Sequence, residues 1–263
     1  MAYTPLQMAE AFIHAGELSD ALDALDQQPG DEARRLRAAV LLRLDQPQAA
    51  LAELAQVATP TAQDHVQRSV MLERGGDMDG ALAAMQAARG MQPENERMTE
   101  RVLNLLLARN DLQAALALVR EQPRTWRWLQ WEGDVLVLLG DDQKATAHYG
   151  LALAQLEAQH DPAAVRYVTP ALARLLLARA HAYRRLDDLD SAEAHYTAAA
   201  QLVPDEPAIP FYHGLLLAQR GDAAGALALC REALEAAPPV LRDALWREIA
   251  GDGRYGQLAQ GLA

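Results

Sequence analysis

The stretch LARAHAYRRLDDLDSAEAHYTAAAQLVPDEP, residues Leu177–Pro207, contains two alanine-rich segments separated by the polar sequence DDLDS. Asp187 and Asp188 favour a turn, and Ala192 opens the second segment. Pro204 ends that segment, because proline cannot continue a helix. The stretch therefore predicts two antiparallel helices joined by a short turn.

The same turn followed by an alanine occurs seven times along the chain, for example in GDMDGAL and GDAAGAL. We call these alanines the anchor alanines: Ala21, Ala50, Ala81, Ala115, Ala145, Ala192 and Ala226. Successive anchors lie 29 to 34 residues apart, except for an interval of 47 residues between Ala145 and Ala192. A recurring period of this length is typical of a repeat protein.

Three other positions, counted from each anchor alanine, hold the same type of residue in nearly every copy. The residue twelve positions before the anchor is small in six of the seven copies, and the residues nine before and four after are always apolar. Two helices approach closely only where one of them offers a small residue, and large apolar side chains then fill the seam. Helix ends are predicted at Pro93, Pro204 and Pro238, and helix starts at Thr4-Pro5 and Thr59-Pro60.

This pattern resembles the tetratricopeptide repeat (TPR) family. The best matches are Leu177–Pro207 and FYHGLLLAQRGDAAGALALCREALEAAPP, residues Phe211–Pro239, and the resemblance covers about 240 residues in seven copies. It implies an all-α, right-handed superhelical solenoid of antiparallel helix pairs with a concave groove. The second copy is degenerate, and Glu132 stands where the family usually has leucine. An irregular all-α bundle is the alternative fold.

We expect the solenoid to span residues 1–239, followed by a capping helix and a tail in residues 240–263. The approximate repeats are 2–30, 31–61, 62–95, 96–124, 125–160, 171–205 and 207–239. An insertion near residues 158–170 carries 13 extra residues, in which Asp161-Pro162 and Thr169-Pro170 each predict a helix start. The insertion either serves binding or reflects a drift in repeat length.

The sequence VLRDALWREIA, residues Val240–Ala250, has one apolar stripe and charged residues opposite it. Such a helix can close the open end of a solenoid. The tail that follows could pack back on the repeats or bind a partner through its apolar side chains, which are Tyr255, Leu258 and Leu262.

Composition limits the possible functions. The chain has 263 residues with a net charge of -12 and a pI near 5.0, which argues against general binding of nucleic acids or anionic membranes. Cys230 is the only cysteine, so no internal disulfide can form, and the single lysine, Lys144, suggests a bacterial source with GC-rich DNA. Residues 1–12 lack the features of a signal peptide, and no apolar run is long enough to span a bilayer. We expect a cytoplasmic protein without membrane insertion.

No motif for catalysis stands out. The seven histidines form no HExxH motif, no glycine-rich phosphate loop follows a strand, and His148 and His195 occupy equivalent positions that suggest the helix surface. We therefore expect a non-enzymatic protein that uses no cofactor and no metal. A hydrolase or transferase on a helical scaffold is the alternative.

The candidate binding site is a row of arginines. Eighteen positions before the anchors, three consecutive copies have Arg97, Arg127 and Arg174, on the helix that lines the groove in TPR proteins. His181 and Arg184 extend this patch in the sixth copy. Guanidinium groups along a groove suit an acidic peptide or a terminal carboxylate. A solvated face with local partners such as Glu94 and Glu100 explains the same pattern.

The segment RTWRWLQWEGD, residues Arg124–Asp134, holds three of the four tryptophans. On a helical wheel Trp128 falls near the seam with the preceding repeat, whereas Trp131 falls off the core and beside the groove. We predict that Trp128 packs in the interior and that Trp131 contacts a bound partner. The predicted partner-binding residues are Arg97, Arg127, Trp131, Arg174, His181 and Arg184.

Together these observations predict a scaffold or adaptor that binds a segment of a partner protein in its concave groove, and the arginines suit an acidic segment. The alternative is a structural or assembly-factor subunit built permanently into a larger complex. Neither the partner nor the oligomeric state follows from the sequence.

Overall fold

The computed structural model describes residues 3–158 and 165–263, and these residues are helical with short connections. The helices are α1 (Pro5–Ala15), α2 (Leu18–Leu25), α3 (Asp31–Arg43), α4 (Pro47–Ala55), α5 (Ala62–Arg74), α6 (Met78–Met91), α7 (Glu96–Ala108), α8 (Leu112–Arg120), α9 (Trp126–Leu138), α10 (Asp142–Ala158), α11 (Val165–Arg185), α12 (Leu189–Leu202), α13 (Ala208–Gln219), α14 (Ala223–Ala236), α15 (Pro239–Gly251) and α16 (Gly256–Leu262). The prediction of an all-α chain of antiparallel TPR-like helix pairs is confirmed.

The chain forms two compact units, residues Met1–Ala115 and Leu116–Ala263, and the boundary falls inside α8. In the first unit α1 packs on α2, α3 on α4 and α5 on α6, and each pair contacts the next. In the second unit α9 pairs with α10, α11 with α12 and α13 with α14. Helices α15 and α16 then pack on α14.

The seven anchor alanines all have no exposed surface. The small residues twelve positions earlier face the side chains four positions after the anchor, as at Gly133 against Tyr149 and Gly214 against Cys230. The sequence columns therefore mark the seams between paired helices.

The turns inside the pairs share one backbone conformation. Five residues before each anchor the backbone is left-handed, and the next amide donates to the carbonyl nine residues before the anchor at 2.9 to 3.0 Å. The left-handed residues are Gly16, Asp45, Gly76, Asn110, Gly140, Asp187 and Gly221. Gly, Asn and Asp tolerate this conformation best, which explains the turn sequences.

Helix ends follow the sequence only in part. Thr4 caps α1 with a capping box to Gln7, as the sequence indicates. The prediction of a helix start at Thr59-Pro60 is wrong, because Thr61 caps α5 in a capping box with Asp64. Arg35 on α3, in the preceding repeat, donates from its Nε to the Asp64 carboxylate at 2.9 Å and so stabilises this capping box.

The predicted helix start at Thr169-Pro170 is also wrong, since α11 begins at Val165 and runs through Pro170. Proline costs that helix one hydrogen bond. Burial of Ala171, Ala173 and Leu175 on the same helix offsets this cost. Asp161-Pro162 lies outside the described residues. Helices α10 and α11, with 17 and 21 residues, take up part of the extra length between their anchors.

Candidate functional site

A surface cavity of about 490 Å³ lies beside α11 and α13 in the second unit, and we call it the α11–α13 groove. Arg174, Leu177 and His181 line it from α11, because residues separated by three and four positions share one helix face. Tyr212 lines it from α13, and Glu206 from the turn before that helix. The groove thus combines apolar and aromatic walls with one cation and one carboxylate.

Arg174 is exposed at this groove. It forms no ion pair with any residue in the two described ranges. Its charge is therefore available to a ligand.

His181 forms the aromatic wall together with Tyr212. The two rings meet edge to face with their centroids 4.0 Å apart, and Nδ1 of His181 lies 3.0 Å from the hydroxyl oxygen of Tyr196. Burial, together with the nearby charges of Arg184 and Arg185, lowers the pKa of His181 to about 3. The imidazole is consequently neutral at physiological pH.

Arg184 does not extend the surface patch. Its side chain is only 4% exposed, and its guanidinium donates to the hydroxyl of Tyr196 at 3.3 Å, to Glu248 at 2.8 Å and to the hydroxyl of Tyr255. We call Arg184 and these three partners the arginine hub. Contrary to the prediction from the sequence, Arg184 is therefore not a surface contact for a partner, because every nitrogen of its guanidinium donates to a group inside the second unit.

The other predicted residues lie in different places. Arg127 is exposed and Trp131 is half-buried on α9 of the second unit, whereas Arg97 is exposed on α7 of the first unit. The structure therefore brings together Arg174 and His181 at one groove. Trp128 is 3% exposed, which agrees with its predicted packing role.

A second polar cluster surrounds Glu132 in the same unit. Its carboxylate accepts from Arg120 Nε at 3.0 Å and from Arg124 Nη1 at 2.5 Å, and His148 Nε2 lies 3.1 Å away. Burial raises the pKa of Glu132, but the hydrogen bonds from Arg120 and Arg124, together with the charges of His148 and Arg124, hold the pKa below its usual value. His148 is therefore half-buried beside a carboxylate, so the helix-surface position that the sequence suggests is only partly exposed.

Sequence reasoning missed Tyr212, Glu206 and Tyr196 as parts of the site. Tyr196 was assigned only to an apolar column, and that column gives no sign that its hydroxyl reaches His181. Tyr212 and Glu206 sit outside the repeated columns, so only the packing of α13 beside α11 reveals them.

Within the described part of the chain, no group of three His, Cys, Asp or Glu side chains could hold a metal ion. In the same residues, no helix has the length and apolar content needed to cross a membrane.

A family model of the tetratricopeptide repeat matches residues 72–122 and 177–240. These two ranges contain the anchor alanines Ala81, Ala115, Ala192 and Ala226. The chain contains tetratricopeptide repeats in these two regions. No curated protein matches this TPR chain in sequence.

Solved structures share the TPR fold at low sequence identity. The C-terminal part of a TPR repeat-containing protein from Cytophaga hutchinsonii is 14% identical, with a TM-score of 0.59 over 98% of this chain and 99% of that one. The apo form of RapI is 12% identical, with a TM-score of 0.67 over 98% of this chain and 84% of that one. Yeast Tom70 is 16% identical, with a TM-score of 0.54 over 97% of this chain and 57% of that one. At such identities the likeness establishes the fold alone.

Proposed function

We propose that this TPR protein is an adaptor that holds an acidic segment of a partner protein in the α11–α13 groove. The observation that carries the proposal is the exposed guanidinium of Arg174, which has no ion pair among the described residues of a chain with net charge -12. A carboxylate can accept two parallel hydrogen bonds from such a group. TPR proteins are in general interaction modules, which supports the same function.

The remaining groove residues suit a polypeptide backbone. Leu177, Val203 and Tyr212 offer apolar surface, and Glu206 offers an acceptor for a peptide N–H. Arg127 and Trp131 on α9, and Arg97 on α7 of the first unit, stay predicted partner contacts.

The proposal can be tested by selecting a displayed library of random 12-residue peptides on the full chain. We expect the enriched sequences to contain Asp or Glu, and Arg174→Glu to weaken their binding by roughly 10- to 100-fold, since a hydrogen bond to a charged group contributes about 1.5–3 kcal/mol. Arg247→Glu is the matched control, because this exposed arginine bonds, among the described residues, only to a carbonyl of its own helix. It should leave binding unchanged.

Equal loss in both variants would show a general charge effect and contradict the proposed site. If no peptide is enriched, the proposed function fails, and a subunit built into a larger complex becomes the better explanation.

A further inference from the structure

The histidines of this protein differ in the partner of Nδ1. In His14 and His195, Nδ1 lies 2.7 Å from the backbone carbonyl oxygen four residues earlier, at Glu10 and Ser191 respectively. A carbonyl oxygen can only accept a hydrogen bond. The proton of a neutral ring in these two residues is therefore on Nδ1, and Nε2 is left as an acceptor.

His181 has a different partner. Its Nδ1 lies 3.0 Å from the hydroxyl oxygen of Tyr196, and Arg184 Nε donates to the same oxygen at 3.3 Å. A guanidinium cannot accept a hydrogen bond, so the hydroxyl proton of Tyr196 must point elsewhere.

Nδ1 of His181 is the acceptor that the described residues provide for that proton. Tyr196 has no exposed surface, so a hydroxyl proton without an acceptor would be costly there. The chain of donors therefore runs from Arg184 to Tyr196 to His181, and it leaves Nδ1 without a proton of its own.

We infer that His181 carries its proton on Nε2 and presents this N–H in the α11–α13 groove as a neutral donor to a carboxylate or carbonyl oxygen of the bound segment. The inference rests on the proposed function for the identity of the ligand. His181 lines the groove, and its Nε2 makes no hydrogen bond with a described residue. Arg174 supplies a charged donor two helical turns earlier on the same face.

The charged groups around His181 keep the ring neutral. Burial opposes a second proton on the ring, and the charges of Arg184 and Arg185 on its own helix act in the same direction. Tyr196 and Tyr212 face the ring from α12 and α13, and Glu206 lines the groove. Glu248 on α15 and Tyr255 in the tail bind Arg184. The donor should consequently act without change between pH 5 and 8, in contrast to an ordinary histidine.

The proton position can be measured directly by long-range ¹⁵N–¹H correlation spectra of the full chain labelled in histidine, with His181→Gln to assign the signal. We expect His181 to show the Nε2–H form from pH 5 to 8, while neutral His195 in the same spectrum shows the Nδ1–H form. Tyr196→Phe should abolish the single tautomer at His181 and leave that of His195 in place. An Nδ1–H form or an imidazolium at His181 above pH 5 would overturn the inference.

Binding gives a second test, with the library peptides as the probe. His181→Gln keeps an N–H near the position of Nε2 and should retain affinity within about threefold, whereas His181→Leu removes the donor and should lose about tenfold. If peptides bind but His181→Leu has no effect, the inference fails and the proposed function stands. If no peptide binds, the proposed function fails, and the spectra still decide the tautomer.

Discussion

At the scale of single residues, Glu132 shows how the chain departs from its own repeat pattern. It stands at a position where TPR proteins usually have leucine, and it is 3% exposed. Arg120 and Arg124 neutralise it while each keeps more than half of its side chain exposed, at 53% and 55%. The ion pair is asymmetric: the buried carboxylate depends on the arginines to compensate its lost hydration, whereas the exposed arginines remain hydrated without it.

This asymmetry predicts unequal effects of two substitutions. Removing the carboxylate with Glu132→Gln should cost only about 1 kcal/mol, because both guanidiniums stay hydrated. The double substitution Arg120→Ala/Arg124→Ala leaves a buried charge without its guanidinium partners and should cost about 3 kcal/mol at pH 7. Urea unfolding of both variants measures the difference, with Arg247→Ala as the control for loss of an exposed arginine.

The pH dependence of the double variant follows from the same contacts. In the wild type the folded-state pKa of Glu132 is lowered, so its stabilising contribution is present above its unfolded-state pKa and is lost as the pH falls. Without the arginines, burial is opposed only by the nearby His148, and we expect it to raise the folded-state pKa, so that stability is lost as the pH rises through that pKa. The deficit of the double variant relative to wild type should therefore shrink between pH 7 and pH 4.5. A deficit that is equal at both pH values would contradict this account.

At the scale of helices, the seam within a pair is set by one small residue facing one large one. A Cβ added at Gly133 would lie 2.5 Å from the ring of Tyr149, and the hydroxyl of that tyrosine donates to Asp134 at 2.7 Å. The ring therefore packs directly against Gly133, and its hydroxyl is held by Asp134.

Two glycine substitutions should consequently have opposite signs. Gly133→Ala should destabilise the protein by about 1–3 kcal/mol, because α9 and α10 must move apart. Gly90→Ala changes a helical glycine at which no atom of the described residues lies within 4 Å of the added Cβ, and it should stabilise the protein by up to about 1 kcal/mol through helix propensity. Thermal and urea unfolding would test the pair. Destabilisation by both substitutions would refute the role assigned to the seam.

Much of this level was predictable from sequence. The turn residues, the anchor alanines and the facing small and large residues recur with the repeat, and each depends on neighbours within about 16 positions. The helix starts at Thr59-Pro60 and Thr169-Pro170 were mispredicted for lack of non-local information. The hydrogen bond from Arg35 in the preceding repeat to Asp64 favours the start of α5 at Thr61. Packing of the buried residues of α11 keeps that helix continuous through Pro170.

At the scale of the whole molecule, the C-terminal segment completes the core of the second unit. Tyr255 and Leu258 are buried in one cluster with Phe211 on α13, Cys230 on α14 and Ile249 on α15. The tail therefore packs back on the repeats, which was one of the two alternatives open from sequence.

In repeat proteins each element is stabilised by its neighbours, so damage to the tail should act locally. We expect Tyr255→Ala/Leu258→Ala to reduce hydrogen-exchange protection of α13 to α15 by at least tenfold and to leave α5 and α6 in the first unit unchanged. Hydrogen-exchange mass spectrometry of the full chain resolves both regions. Equal loss of protection in the two units would mean that the chain unfolds as one cooperative body, against this prediction.

The sequence by itself determined the class of fold, the seven turns and the residues that bury each seam, because these features repeat and arise between neighbouring helices. It also indicated Arg174 and His181, which the structure places at one groove. Only the tertiary structure shows that Arg184 is buried, because its partners Glu248 and Tyr255 lie 64 and 71 residues away in the chain. No repeat period specifies such a contact, since it exists only after α15 and the tail have folded back on the second unit. Glu248 and Tyr255 bind the same guanidinium that donates to Tyr196, and the proton position that we infer for His181 rests on that donation. The chemistry of the groove therefore follows from tertiary packing.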